Sequence, residues 1–134
     1  MTPPDRRPRR LHAIRGAITV ERDEGELLLT ATRELLAAIA ERNGMRPHEI
    51  VSAIFTLTPD LASQFPALAA RQLGWTEAAL LCTQEIPVPG ALTRVIRVLI
   101  TVEFDEPRRA VTHVYLRDAV ALRPDRATPP LPNA

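Results

Sequence analysis

The stretch "LTRVIRVLITVEF", Leu92 to Phe104, decides the fold. Read with a period of two, Leu92, Arg94, Ile96, Val98, Ile100, Val102 and Phe104 share one face that is almost wholly apolar, while Thr93, Val95, Arg97, Leu99, Thr101 and Glu103 share the other. That alternation specifies a long strand with one side in a core. Arg97 then lies between Val95 and Leu99 on the second, partly apolar side, where a charge needs a partner.

Working outward, "LHAIRGAITVE" from Leu11 is rich in β-branched residues and lacks proline, so it reads as a first strand. Gly16 inside it predicts a bulge or the close approach of another group. Asp23 with Glu26 three residues on resembles a capping box, and Leu27, Leu28, Ala31, Leu35, Ala38 and Ile39 then recur at helical spacing until Asn43-Gly44 closes the helix. After Pro47, "EIVSAIFTL" reads as a second strand and "TPD" as a turn. A short helix follows from Pro66 to Leu73, with proline in its first position, Arg71 within it and Gly74 at its end. "AALLCTQEI" is a third strand and "PVPG" a turn into the long strand; beyond it "EPRR" makes a turn, "AVTHVYL" a fifth strand and "AVALRPD" a short terminal element.

This order predicts an α+β fold: a mixed, mostly antiparallel sheet with two helices on one face. Two helices cover only one side, so another subunit is expected against the other.

The 134 residues suit one domain, expected over 11–126 between a disordered basic tail (1–10) and a disordered Pro-rich tail (127–134). All 17 basic residues are Arg, and "DRRPRR" takes four of them, leaving 13 Arg against 15 acidic residues from Leu11 onward. A proline-broken cluster without interleaved aromatics reads as a solvated extension, so nucleic acid is not an expected partner. No apolar run approaches the roughly 20 residues of a membrane span, and Arg15 interrupts any signal-peptide core, so a cytoplasmic location is expected. One cysteine excludes an internal disulfide, and His12, His48 and His113 have no metal-ligand spacing. No metal is expected. The scattered glycines form no phosphate loop, and neither Ser52 nor Ser63 lies in a nucleophile elbow.

What remains is a set of polar residues in strand-like sequence: Arg15, Cys82, Glu85, Arg97 and Tyr115. Singly, Arg97 and Glu85 could be a structural ion pair, Cys82 a small hydrophobe and Tyr115 a core ring. Together they make a cationic cavity with one acceptor, suited to a small carboxylate ligand that also bears a hydroxyl.

The motifs, taken in order, name a family. "IRGAITVERDE" (14–24), "FTLTPDL" (55–61), "FPALAARQLGW" (65–75), "CTQEIPVPG" (82–90), "RVIRVLITV" (94–102) and "HVYL" with "ALRPD" (113–125) resemble the small monofunctional chorismate mutases of the Bacillus-type class, whose trimers form a pseudo-α/β barrel. The resemblance spans about Leu11 to Asp125. It implies isomerisation of chorismate to prephenate by a Claisen [3,3] rearrangement in aromatic amino-acid biosynthesis, with no cofactor. Carried over by motif, Arg97 would face the ether oxygen and a substrate carboxylate, Arg15 would bind the charged substrate, and Tyr115 would hydrogen-bond a carboxylate. Glu85 and Cys82 would contact the ring hydroxyl; since strand parity puts them on opposite faces, Glu85 is expected beyond the regular strand, in the turn before Pro87. Phe65 and Arg71 would come from a neighbouring chain, and Leu122 would add apolar wall. Two positions depart from the pattern: Leu68, where a basic residue is expected, and Leu81, where Thr is expected. The competing readings are a trimeric imine or enamine deaminase and a non-catalytic module binding small carboxylates.

Overall fold

The computed structural model describes residues 7–122, so the expected C-terminal tail and the first six residues lie outside it. Strand β1 (Arg9–Thr19) leads to helix α1 (Gly25–Asn43), β2 (Ile50–Leu57), α2 (Pro66–Gln72), β3 (Ala79–Gln84), β4 (Val95–Arg108) and β5 (Val114–Leu116), with 3-10 turns at Pro47–Glu49 and Arg117–Leu122. The five strands form one sheet in the order β3-β2-β4-β1-β5. The long central strand β4 pairs antiparallel with β1 and β2, and the edge strands β5 and β3 add in parallel.

The alternation in β4 holds. Ile96, Val98, Ile100, Val102 and Phe104 are buried against Leu28, Leu35, Leu36 and Ile39 of α1, with Ile14, Ile18 and Phe55 from the flanking strands completing this core. With Ala31 and Thr32 also buried, the contacts of α1 recur every three or four residues, which turns one stripe of the helix onto the sheet. Gly16 answers to the approach of α1 rather than to a bulge: a methyl group there would stand 2.6 Å from Ile39 Cδ1 and 3.3 Å from the Val114 carbonyl. The irregularity in β1 lies instead between Arg9 and Leu11.

Several boundaries differ from the sequence reading, each for a local reason. β1 begins at Arg9, inside the expected tail, because Arg9 pairs with Arg108. The same pairing carries β4 to Arg108, so "EPR" of the expected turn is strand and only Arg109 bends away. Arg108 lies over the Phe104 ring, 3.6 Å from its centroid, and its guanidinium donates to the Asn43 and Gly44 carbonyls at the end of α1. At its other end β4 starts three residues late, since Arg94 takes a left-handed conformation (φ 55°) with its N–H donated to the Asp60 carboxylate at 3.0 Å. β5 shrinks to three residues because both backbone groups of Thr112 are taken by the buried Asn43 amide, at 2.8 and 2.9 Å, and so leave the ladder.

Asp23 does not form the expected capping box. Its carboxylate accepts the N–H groups of Ala62 and Ser63, at 3.1 and 3.0 Å, and ties the loop before α2 to the start of α1. The Ser63 hydroxyl is the main cause, with those two N–H groups adding, that holds the Asp23 carboxyl below its ordinary range. The Asn43-Gly44 stop does hold, with Gly44 left-handed at φ 55°.

The second sheet face is mostly uncovered. The turn at Arg117–Leu122 covers only one end of it, where Ala119 and Leu122 pack on Ala17, Val95 and Tyr115. Elsewhere Leu11, Ile54, Leu81 and Leu99 stand 54, 40, 59 and 44% exposed. No helix among the described residues is long and apolar enough to cross a membrane.

Candidate active site

The register of the sheet assembles the polar residues on that second face. Arg97 stands opposite Ala17 on one side and Thr56 on the other, Arg15 opposite Leu99, and Tyr115 opposite Ala17. Residues paired to adjacent, same-parity positions share a face, so Arg15, Thr56, Arg97 and Tyr115 form one patch across four strands. Glu85 joins them from the turn. β3 ends at Gln84, and the Glu85 N–H is held by the Leu57 carbonyl at 2.8 Å.

Glu85 is engaged through both oxygens: Oε2 accepts Arg97 Nε at 2.5 Å and Oε1 accepts the Thr56 hydroxyl at 2.7 Å. The pair stands between two cavities. One, of about 300 Å³, is lined by Arg15, Thr56, Val98, Leu99 and Tyr115. The other, of about 520 Å³, is bounded by Thr58–Asp60 and by the 86–93 loop. Because Glu85 takes only the Nε side of the guanidinium, both Nη groups of Arg97 are without a hydrogen bond among the described residues. The Arg15 guanidinium is likewise unpaired there, while its backbone N–H is donated to His113 Nδ1 at 2.9 Å. Tyr115 is buried beside Ala17 and Val95, and Leu122 packs against the same cluster. Such a site presents fixed N–H donors to an anion with one carboxylate beside them.

The other predicted residues lie elsewhere. Cys82 packs against the helix-side core and, with Phe65, Gln84 and Leu57, lines a separate cavity of about 320 Å³. Glu85 does sit beyond the regular strand, but it keeps the parity of β3 and does not turn to meet Cys82. Phe65, at the start of α2, is 68% exposed, and Arg71 is exposed in its last turn. Neither reaches the Arg97 patch within the chain. Of the two departures, Leu68 is half-buried in α2 and Leu81 is exposed on the uncovered face opposite Ile54.

The ligand atoms of His48, Glu49 and Asp105 lie within 4.8 Å of one another. The Glu49 oxygens accept the Arg46 and Asp105 N–H groups, each at 2.8 Å, and His48 Nε2 meets Asp105 Oδ2 at 2.8 Å. The group straps the turn before β2 to β4.

The profile of the chorismate mutase type I family matches residues 11–126. The chain belongs to the chorismate mutases of this type. It is 55% identical over 116 residues to "Chorismate mutase AroH" of Thermus thermophilus, covering 86% of this chain and 95% of that protein. Against "Chorismate mutase AroH" of Bacillus subtilis (strain 168) the identity is 46% over 116 residues, 86% of this chain and 91% of the relative. A solved chorismate mutase from Clostridium thermocellum superposes with a TM-score of 0.78 at 45% identity, covering 82% of this chain and 98% of that one.

Two residues that sequence reasoning passed over belong to the site's frame. Thr56 and Asp60 both fall in "FTLTPDL", and only the register between β2 and β4 shows that they serve Glu85 and the start of β4.

Proposed function

We propose that this enzyme isomerises chorismate to prephenate in the cytoplasm, as a step in aromatic amino-acid biosynthesis, by binding the substrate in a folded geometry and meeting the charge that develops as it reacts. One carbon–oxygen bond of the ether breaks while one carbon–carbon bond forms, and electron density accumulates on the departing ether oxygen. The observation that carries the reading is the arrangement of Arg97, held at Nε by Glu85 while its side chain lines the cavity with both Nη groups without a hydrogen bond among the described residues. A donor fixed before the reaction needs no reorganisation during it, and that is where such stabilisation is strongest. Arg15 and Tyr115 take the substrate's carboxylates, Glu85 its ring hydroxyl, and Leu122 closes the apolar wall. Holding the dianion in one conformer removes the entropy of reaching it.

The helix-side group completes the site from a second copy. Phe65, Arg71 and Cys82 lie away from the Arg97 patch in this chain, while the uncovered face carries an apolar band that a neighbour would bury. A homotrimer, with three such junctions closing a ring, satisfies both facts.

The test is the ultraviolet loss of chorismate on adding purified protein, with prephenate confirmed by acid conversion to phenylpyruvate. The parent turns over, and Arg97→Ala lowers kcat at least about a hundredfold while remaining folded. Near-normal kcat in a folded Arg97→Ala assembly would remove Arg97 from its role.

A further inference from the structure

Glu85 lies in the turn after β3 and Arg97 on β4, and neither backbone alone fixes how their side chains meet. Arg97 is 43% exposed at its side chain and Glu85 19%, so a bare pair at this depth would sample several geometries. A third group removes that freedom. Thr56 on β2 lies directly opposite Arg97, and its hydroxyl donates to Glu85 Oε1 at 2.7 Å. The Glu85 backbone is held to the next residue of the same strand, through the Leu57 carbonyl.

We propose that Thr56 is a positioning residue for the rearrangement: its hydroxyl sets the plane of the Glu85 carboxylate so that Oε2 takes Arg97 by Nε and leaves both Nη groups for the substrate. The geometry has little slack. A carboxylate rotated away from Thr56 meets Arg97 through Nη, and the guanidinium then gives Glu85 the donors that otherwise have no partner among the described residues. Threonine suits the position twice, since its branched Cβ is stiff on a strand and carries the hydroxyl with no further rotatable carbon. The bond is also charge-assisted, which makes it stronger than a neutral one.

This inference rests on the mutase reading, and the experiment separates the two. Thr56→Val keeps the shape and removes the donor; Thr56→Ser keeps the donor. Steady-state kinetics with chorismate should show kcat lowered about tenfold in Thr56→Val, the effect of about 1.4 kcal/mol on the barrier, with KM changed less, and Thr56→Ser close to the parent. The second readout is the Arg97 Nε–H resonance in nitrogen-15 spectra, assigned by its loss in Arg97→Lys. It should shift or broaden in Thr56→Val and return in Thr56→Ser. An unchanged kcat and an unmoved resonance in Thr56→Val would overturn the role, as would a serine variant no better than valine. Absence of turnover in the parent would sink the mutase reading alone, and the resonance would still decide whether Thr56 holds the pair.

Discussion

The two faces of the sheet are built on different physics. Under the helices, Ile96, Val98, Ile100, Val102 and Phe104 form an unbroken apolar row of β4 and close against α1. On the other side, the intervening residues of the same strand include Arg97, Leu99 and Thr101, and the face stays mostly open. In the proposed reading, one strand serves stability with one parity and chemistry with the other. The lesson is that a charge can be kept beside a core without entering it, provided the neighbouring strands supply its partners.

The contrast is broken most strongly from the helix side. Phe55 is fully buried, and Phe55→Ala should lower unfolding free energy by about 3–5 kcal/mol in denaturant titration. Arg97→Ala, by comparison, should alter that midpoint little, because a half-exposed ion pair contributes only about 0–1 kcal/mol. Equal destabilisation by both would mean that the faces do not divide their labour.

Next comes the open face itself. Leu81→Asp sets a charge in the apolar band, opposite Ile54. If a second copy covers that band, sedimentation should show self-association weakened at least about a hundredfold, since an unpaired charge buried in an interface costs several kcal/mol. Assembly unchanged by Leu81→Asp would mean that the band faces solvent.

The smallest effect concerns the strap between α1 and the loop before α2. The native Asp23 carboxyl titrates below its ordinary value of 3.8, so the stability it lends is fully present above that pH and is lost as pH falls through the lowered value. Urea midpoints of the parent and Asp23→Asn should differ at neutral pH and converge as the solution is acidified below about 4. A gap that persists into acid would assign the difference to something other than the carboxylate's charge.

Much of this was legible in the sequence, because burial leaves a periodic trace. The alternation from Leu92 to Phe104 marked the central strand and its two faces, and the spacing from Leu27 to Ile39 marked α1. Arg15, Glu85, Arg97 and Tyr115 stood out as polar residues in apolar surroundings, and the sheet brings them together. What escaped depends on side chains that meet across long separations. Asn43 takes the backbone of Thr112, Asp60 holds Arg94 in a left-handed turn, and Asp23 leaves its own helix for Ala62 and Ser63. None has a local period. Thr56 was hidden for a related reason: its role depends on register, and a strand's sequence gives parity without naming the residue opposite.

The separation of Arg97 from Arg71, Phe65 and Cys82 leads to the measurement that tests the account most directly. In the proposed trimer, Arg97→Ala would spoil the open-face half of a site and Arg71→Ala the helix-side half. Each variant alone should be severely impaired. Co-expressed and shown by native mass spectrometry to form mixed assemblies, they should regain turnover, because about a quarter of junctions in a random mixture join two intact halves. Mixed assemblies as inactive as either variant alone would contradict the account, and would mean that each site is contained within one chain.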